Sequence, residues 1–141
     1  MKAPNFWFTR PDAPDWRARV LGPIGSLYAA LTARRVAQPP AYEAPVPVIC
    51  IGNLNAGGTG KTPTTIALAQ MLIEMGAQPH VVSRGYGGKI EGPHKVQPSD
   101  NASEVGDEPL LLAAFAPTWV AKDRALGIKA ASEAGASHIL M

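Results

Sequence analysis

Three observations predict an α/β fold: a three-layer arrangement with a mainly parallel sheet, preceded by an amphipathic helix. The first is an apolar run at residues 46–51 that passes through a glycine-rich loop into Gly60-Lys61-Thr62 and a helical pattern. The second is the alternation of short apolar runs with helical spacing from there to residue 141. The third is the near-continuous apolar character of those runs, expected of strands covered on both faces. Short strands alternating with helices pair most readily in parallel through right-handed crossovers, which places helices on both sides of the sheet.

Residues 1–14 are rich in aromatics and proline: Phe6, Trp7, Phe8, Pro11 and Pro14. Asp15 has the chemistry of a helix N-cap. After it Trp16, Val20, Ile24, Leu27, Tyr28 and Leu31 recur on one helical face. Gly22-Pro23 predicts a kink or a split, because proline removes a donor and crowds the preceding turn. Gln38-Pro39-Pro40 ends the helix, and a linker runs to about residue 45. The expected organisation is therefore an N-terminal segment, 1–40, and a domain, 41–141. Two readings of the segment stand side by side. One is an ordinary amphipathic helix packed on the domain, which must account for Phe6, Trp7 and Phe8. The other is a helix lying in a membrane interface, with Arg10, Arg17, Arg19, Arg34 and Arg35 on anionic lipid, each contributing about 1 kcal/mol.

Within the domain, residues 46–51 form the first predicted strand, with Pro47 tolerable only near its start. Cys50 falls inside it and reads as a small buried hydrophobe. A helix is predicted from Lys61 to about Met75, with Pro63 in its first turn and Gly76 as its stop. A strand over 80–83 leads into the glycine-rich loop Arg84-Gly85-Tyr86-Gly87-Gly88-Lys89. Residues 90–104 are polar and irregular, with a strand near 95–97. A helix over 109–115, a strand over 118–121, a helix over 123–134 capped by Asp123 and stopped by Gly135, and a strand over 137–141 complete the chain.

The loop carries the chemistry. Asn55, Ala56, Gly57, Gly58, Thr59, Gly60, Lys61 and Thr62 follow G-x-x-x-x-G-K-[ST], except that Asn55 replaces the first glycine. Asparagine is the next most tolerant residue of left-handed backbone, so the turn survives the exchange. In such a P-loop the backbone N–H groups and the following helix form an anion nest. Lys61 would reach the β- and γ-phosphates of a nucleoside triphosphate, and the Thr62 hydroxyl would ligate Mg²⁺. Gly106-Asp107-Glu108-Pro109 sets two carboxylates at a loop-to-helix junction. Asp107 there is either a helix N-cap, with Pro109 in the first turn, or an acid–base group. Arg84 is an exposed charge or part of a loop that approaches a ligand closely. Lys122-Asp123-Arg124 is a solvated helix start or a functional element.

Bulk properties exclude some partners. A net charge of +2 over 141 residues makes no case for nucleic acid. The balance is +4 over residues 1–40 and −2 over the remainder. One cysteine permits no internal disulfide, which fits a cytoplasmic compartment. No run of about 18 apolar residues is present to span a bilayer, and the N-terminus lacks the pattern of a signal peptide. His80, His94 and His138 have no metal-ligand spacing. Nothing in the sequence sets an oligomeric state.

Taken together, residues 46–53, Gly57-Gly-Thr-Gly-Lys-Thr-Pro63, Val82-Ser-Arg-Gly-Tyr-Gly-Gly88, Glu104-Val-Gly-Asp-Glu-Pro109 and Lys122-Asp-Arg124 resemble, in content, order and spacing, the tetraacyldisaccharide 4′-kinases of lipid A synthesis. The resemblance covers the chain but only the N-terminal part of that family's fold. It implies an enzyme that moves the γ-phosphate of ATP, with Mg²⁺, to the 4′-hydroxyl of tetraacyldisaccharide 1-phosphate, a lipid A disaccharide precursor. The expected location is the cytoplasmic face of the bacterial inner membrane. It also implies Asp107 as the general base, Lys61 as the phosphate grip, Thr62 and Glu108 near the metal, and Arg84, Tyr86 and Arg124 on the substrate or active-site surface. P-loop enzymes usually add an aspartate after another strand. The run 138–141 leads toward such a motif and no aspartate follows, so the sequence reads as truncated and these residues are expected to be inactive alone. The alternatives are a regulatory or partitioning P-loop ATPase, whose usual extra lysine is Ala56 here, and a fragment that binds nucleotide without catalysis.

Overall fold

The structure, a computed structural model, describes residues 8, 10, 12–39, 42–52 and 60–141. The chain divides into two units, Met1–Pro40 and Ala41–Met141.

In the first unit, helix α1 spans Trp16–Val36, and none of its residues is buried. Asp15 caps it, its side chain accepting from the Arg17 N–H at 2.8 Å. Arg34 and Arg35 lie in the last turn, where cations suit the carbonyl end of the helix. The predicted split at Gly22-Pro23 does not occur. Pro23 sits inside a continuous helix. Its missing N–H deprives only the exposed Arg19 carbonyl of an intrahelical donor, and water can serve an exposed carbonyl.

The second unit is a five-stranded sheet of order β1-β5-β2-β4-β3, formed by β1 (Val48–Ile49), β2 (Pro79–Ser83), β3 (His94–Lys95), β4 (Thr118–Val120) and β5 (His138–Leu140). Four strands run parallel, and β3 joins β4 antiparallel at the edge. The helices are α2 (Lys61–Glu74), α3 (Ala102–Val105), α4 (Asp107–Ala113) and α5 (Arg124–Glu133).

Alternation along the strands divides the core between two faces. Val81 and Leu140 pack with Ala69 and Leu72 of α2 and Leu112 of α4. Their chain neighbours Val82 and Ile139 point the other way and pack with Ala131 of α5. Helices therefore cover both faces, and the sheet is the middle of three layers. A third cluster, Val96, Val105 and Val120, closes the β3 edge.

Several boundaries differ from the sequence reading. The first strand pairs formally over two residues, although the ladder runs on, Ile139 N donating to Pro47 O at 2.9 Å and Ile51 N to Met141 O at 2.6 Å. Cys50, expected to be buried, is exposed. It follows the paired residues of an edge strand, so sheet neighbours cover it on one side only. The strand expected near 95–97 is His94–Lys95, and α3 was not foreseen. Its signal is Asn101, whose side chain accepts from Ser103 N at 3.0 Å. Helix α4 starts two residues before the predicted 109.

Candidate active site

Because β1, β2, β4 and β5 are parallel, their carboxyl ends share one edge of the sheet. Ligands of open α/β sheets bind at that edge. Here it holds a cavity of about 170 Å³, lined by Ile51, Ser83, Arg84 and Met141 from the strand ends, Lys61 and Thr65 from α2, Glu108 and Leu112 from α4, and Arg124 from α5. Val81 and Val82 of β2 also line it.

The start of α2 is fixed by Gly60, whose φ of 78° is left-handed backbone, so the chain turns sharply into the helix. The Thr65 hydroxyl donates to the Lys61 carbonyl at 2.9 Å. The Thr62 hydroxyl donates to Oε1 of Glu108, tying the first turn of α2 to the first turn of α4 across 46 residues of sequence. Arg124 opens α5, which Asp123 caps by accepting from Ala125 N at 2.9 Å and Leu126 N at 3.4 Å. Among the described residues, none of Lys61, Arg84 and Arg124 is ion-paired. Three cations and one carboxylate thus face a single space. That balance suits a polyphosphate, which presents several anionic oxygens to charge-assisted donors.

Of the residues singled out from sequence, Lys61, Glu108, Arg84 and Arg124 meet at the cavity, and Thr62 joins them through Glu108. Asp107 is exposed and adjoins Glu108 without lining the cavity. It does not cap α4: Gly106 occupies the cap position and no side-chain capping bond is made there. The N-cap alternative for Asp107 is therefore corrected, since the helix begins one residue earlier than that reading required. Tyr86 is 94% exposed beside Arg84, outside the cavity lining. Asn55, Ala56, Gly57, Gly58 and Thr59 lie outside the described residues. Ser83 and Thr65 were not singled out from sequence. Ser83 accepts from Gly85 N at 3.3 Å, and its position as the last residue of a buried strand was the available signal.

Comparison with known proteins gives concordant results. The family model described as tetraacyldisaccharide-1-P 4′-kinase (LpxK) matches residues 17–141. The chain is 64% identical over 142 residues to the tetraacyldisaccharide 4′-kinase of Dinoroseobacter shibae, covering 100% of this chain and 42% of that protein. It is 54% identical over 142 residues to the enzyme of the same name from Methylobacterium sp. strain 4-46, with the same coverage. Among solved structures, the "apo" form of LpxK from Aquifex aeolicus in complex with ATP superposes with a TM-score of 0.70 at 29% identity, over 86% of this chain and 42% of that one. The chain thus spans about two fifths of the length of its curated relatives. With sheet topology, the family model and the relatives in agreement, the chain belongs to the tetraacyldisaccharide-1-P 4′-kinase family.

Proposed function

We propose that a kinase carrying this chain transfers the γ-phosphate of ATP to the 4′-hydroxyl of tetraacyldisaccharide 1-phosphate. The observation that carries this reading is the cavity at the carboxyl edge, where Lys61, Arg84 and Arg124 gather with Glu108 and form no ion pair among the described residues. The names of the relatives and the ATP bound by the Aquifex enzyme support it.

Residues 55–62 would wrap the phosphates and Lys61 would hold the transferring group. Thr62 and Glu108 already meet through one hydrogen bond, and a hydroxyl beside a carboxylate is a hard-oxygen pair that suits Mg²⁺. When bound there, the ion would supply neutralising charge to the phosphates. Asp107, beside that pair and open to solvent, would accept the proton of the sugar hydroxyl. The hydroxyl oxygen bonds to the γ-phosphorus as the bridge to the β-phosphate breaks, leaving ADP. Arg84, Tyr86 and Arg124 would contact the substrates. The test is Lys61→Ala in a full-length kinase carrying this chain, assayed by transfer of labelled γ-phosphate. Turnover should fall by about a hundredfold or more, the scale seen when one preorganised electrostatic donor is removed. Thermal stability should stay unchanged, because Lys61 is exposed. Undiminished turnover would exclude the P-loop role.

Residues 1–40 are proposed as a separate membrane-interfacial segment and 41–141 as the first part of the kinase domain. No described helix is long and apolar enough to cross a membrane. Trp16, Val20, Ile24, Leu27, Tyr28 and Leu31 of α1 are nonetheless all exposed large hydrophobics on one stripe. This stripe, with nearby arginines, fits the headgroup region of the cytoplasmic leaflet, where the lipid substrate would be met. Deleting residues 1–35 should weaken binding to anionic liposomes, most visibly at low salt. Equal binding by the deletion variant rejects the interfacial role.

A further inference from the structure

The loop that carries Arg84 and Tyr86 and the turn that precedes Asp107 touch backbone to backbone at several points. The Glu104 carbonyl accepts from Lys89 N at 2.8 Å and from Ile90 N at 3.0 Å. Gly88 lies so close that a Cβ there would overlap the Glu104 carbonyl oxygen and stand 2.8 Å from the Val105 carbonyl carbon. Gly106 has φ 94° and ψ 153°, backbone that only glycine adopts readily, and a Cβ on it would come within 2.8 Å of the Tyr86 carbonyl oxygen. The neighbours met in both places are main chain and cannot rotate away. Val105, between the two contacts, is fully buried with Val120. Asp107 follows Gly106 directly.

We infer that Gly88 is a positioning residue for Asp107: residues 85–90 form a rigid backbone shelf that sets where the 104–107 turn, and hence the Asp107 carboxylate, stands. The inference rests on the reading of Asp107 as the base. The shelf also refers two ends of one acceptor to a common frame, because Tyr86 projects from the same loop. An acceptor that touches Tyr86 meets a carboxylate whose place is set by that loop's own main chain.

Gly88 is outside the left-handed region. Alanine therefore meets no positive-φ penalty there, and the close contact is the cost the structure shows. It would displace the Glu104–Val105 peptide by a fraction of an ångström or more and carry Asp107 with it. The experiment compares Gly88→Ala, Asp107→Ala and the double variant in a full-length kinase carrying this chain. Displacing a reacting group by about 1 Å can cost about a hundredfold in rate, so kcat for Gly88→Ala should fall by about tenfold to a hundredfold. The KM for ATP should stay within about twofold, because the phosphate grip is on another element. The decisive readout is non-additivity: the double variant should be no slower than Asp107→Ala alone, since both act on one step. Gly76→Asn, outside the shelf, is the control, as a Cβ at position 76 meets nothing within 4 Å and asparagine tolerates its positive φ. If Gly88→Ala does not fold, Val105→Ala, which loosens the buried side chain between the two contacts without a new clash, takes its place in the cycle. A slow Asp107→Ala with wild-type rates for the shelf variant, or with fully additive losses, overturns the positioning role and leaves the base assignment standing. An unimpaired Asp107→Ala overturns both.

Discussion

The two ends of the parallel sheet use polar groups in opposite ways. At the carboxyl end, Lys61, Arg84 and Arg124 line a cavity with one carboxylate, Glu108, and form no ion pair among the described residues. At the amino end, polar groups answer one another. Gln78 N donates to Ser137 Oγ at 2.7 Å, Ser137 Oγ lies 3.1 Å from His138 Nδ1, and Trp119 Nε1 donates to His80 Nδ1 at 3.3 Å. Among the described residues no buried side-chain polar atom lacks a partner. One end therefore contributes stability through satisfied bonds, and the other holds charge in reserve for a ligand. Helix α5 joins them, presenting Arg124 to the cavity and packing Ala131 against the core that contains Val82 and Trp119.

The largest effect expected is on that joint. A Cβ at Gly127 would stand 2.8 Å from both Ala121 Cβ and Val82 Cγ1, so α5 is seated on the sheet as closely as glycine permits. Gly127→Val should cost about 2–3 kcal/mol through overpacking. It should also weaken ATP binding, because lifting α5 moves Arg124. Urea unfolding and nucleotide titration of the same variant in the full-length protein measure the two losses. A loss of stability with ATP affinity intact would show that the two ends are not mechanically joined.

Arg124→Ala should separate them cleanly. The exposed guanidinium leaves the cavity, and ATP affinity falls by about tenfold, or about 1.4 kcal/mol, in line with one charge-assisted contact. Stability should move by no more than about 0.5 kcal/mol, as expected of an exposed position. A stability loss larger than the binding loss would make Arg124 a structural residue and erase the contrast.

This division was partly legible in the sequence. The passage from strand to Lys61-Thr62 and helix, the cap at Asp123 and the stops at Gly76 and Gly135 rest on local chemistry, and local chemistry is written in adjacent residues. The meeting of Thr62 with Glu108, or of Lys61 with Arg124, depends on strand order and crossover hand, and no window of sequence contains it. Family motifs pointed to these residues without placing them. Cys50 shows the converse failure. Its apolar neighbours suggested burial, but an edge strand is covered only where another strand lies beside it. The short helix α3 was missed because its four residues have too little periodicity to register, although Asn101 announced a cap.

The smallest effect expected is a pH dependence confined to the satisfied groups. Burial pushes the His80 imidazole below its ordinary value of 6.5, the nearby Lys95 charge adds to this, and hydrogen bonding to the Ala131 backbone opposes it. The Trp119 N–H aimed at Nδ1 requires the neutral ring, so the geometry agrees. The folded chain thus binds this proton less readily than the unfolded chain. Stability is unaffected well above 6.5, declines as pH falls below it, and levels off once the lowered folded value is passed. Asp100 behaves alike in a lower window. The Gln97 N–H at 2.8 Å and then His94 Nε2 at 2.7 Å hold its carboxyl below the ordinary 3.8. Its contribution is present above 3.8 and disappears as pH falls through the lowered folded value. Urea midpoints of the full-length protein from pH 8 downward should therefore show two separate declines. His80→Phe, which keeps a ring beside Trp119, should remove the upper one alone, and Asp100→Asn the lower one alone. If the upper decline persists in His80→Phe, its source is another group, and the amino end of the sheet does not own the acid sensitivity of the fold.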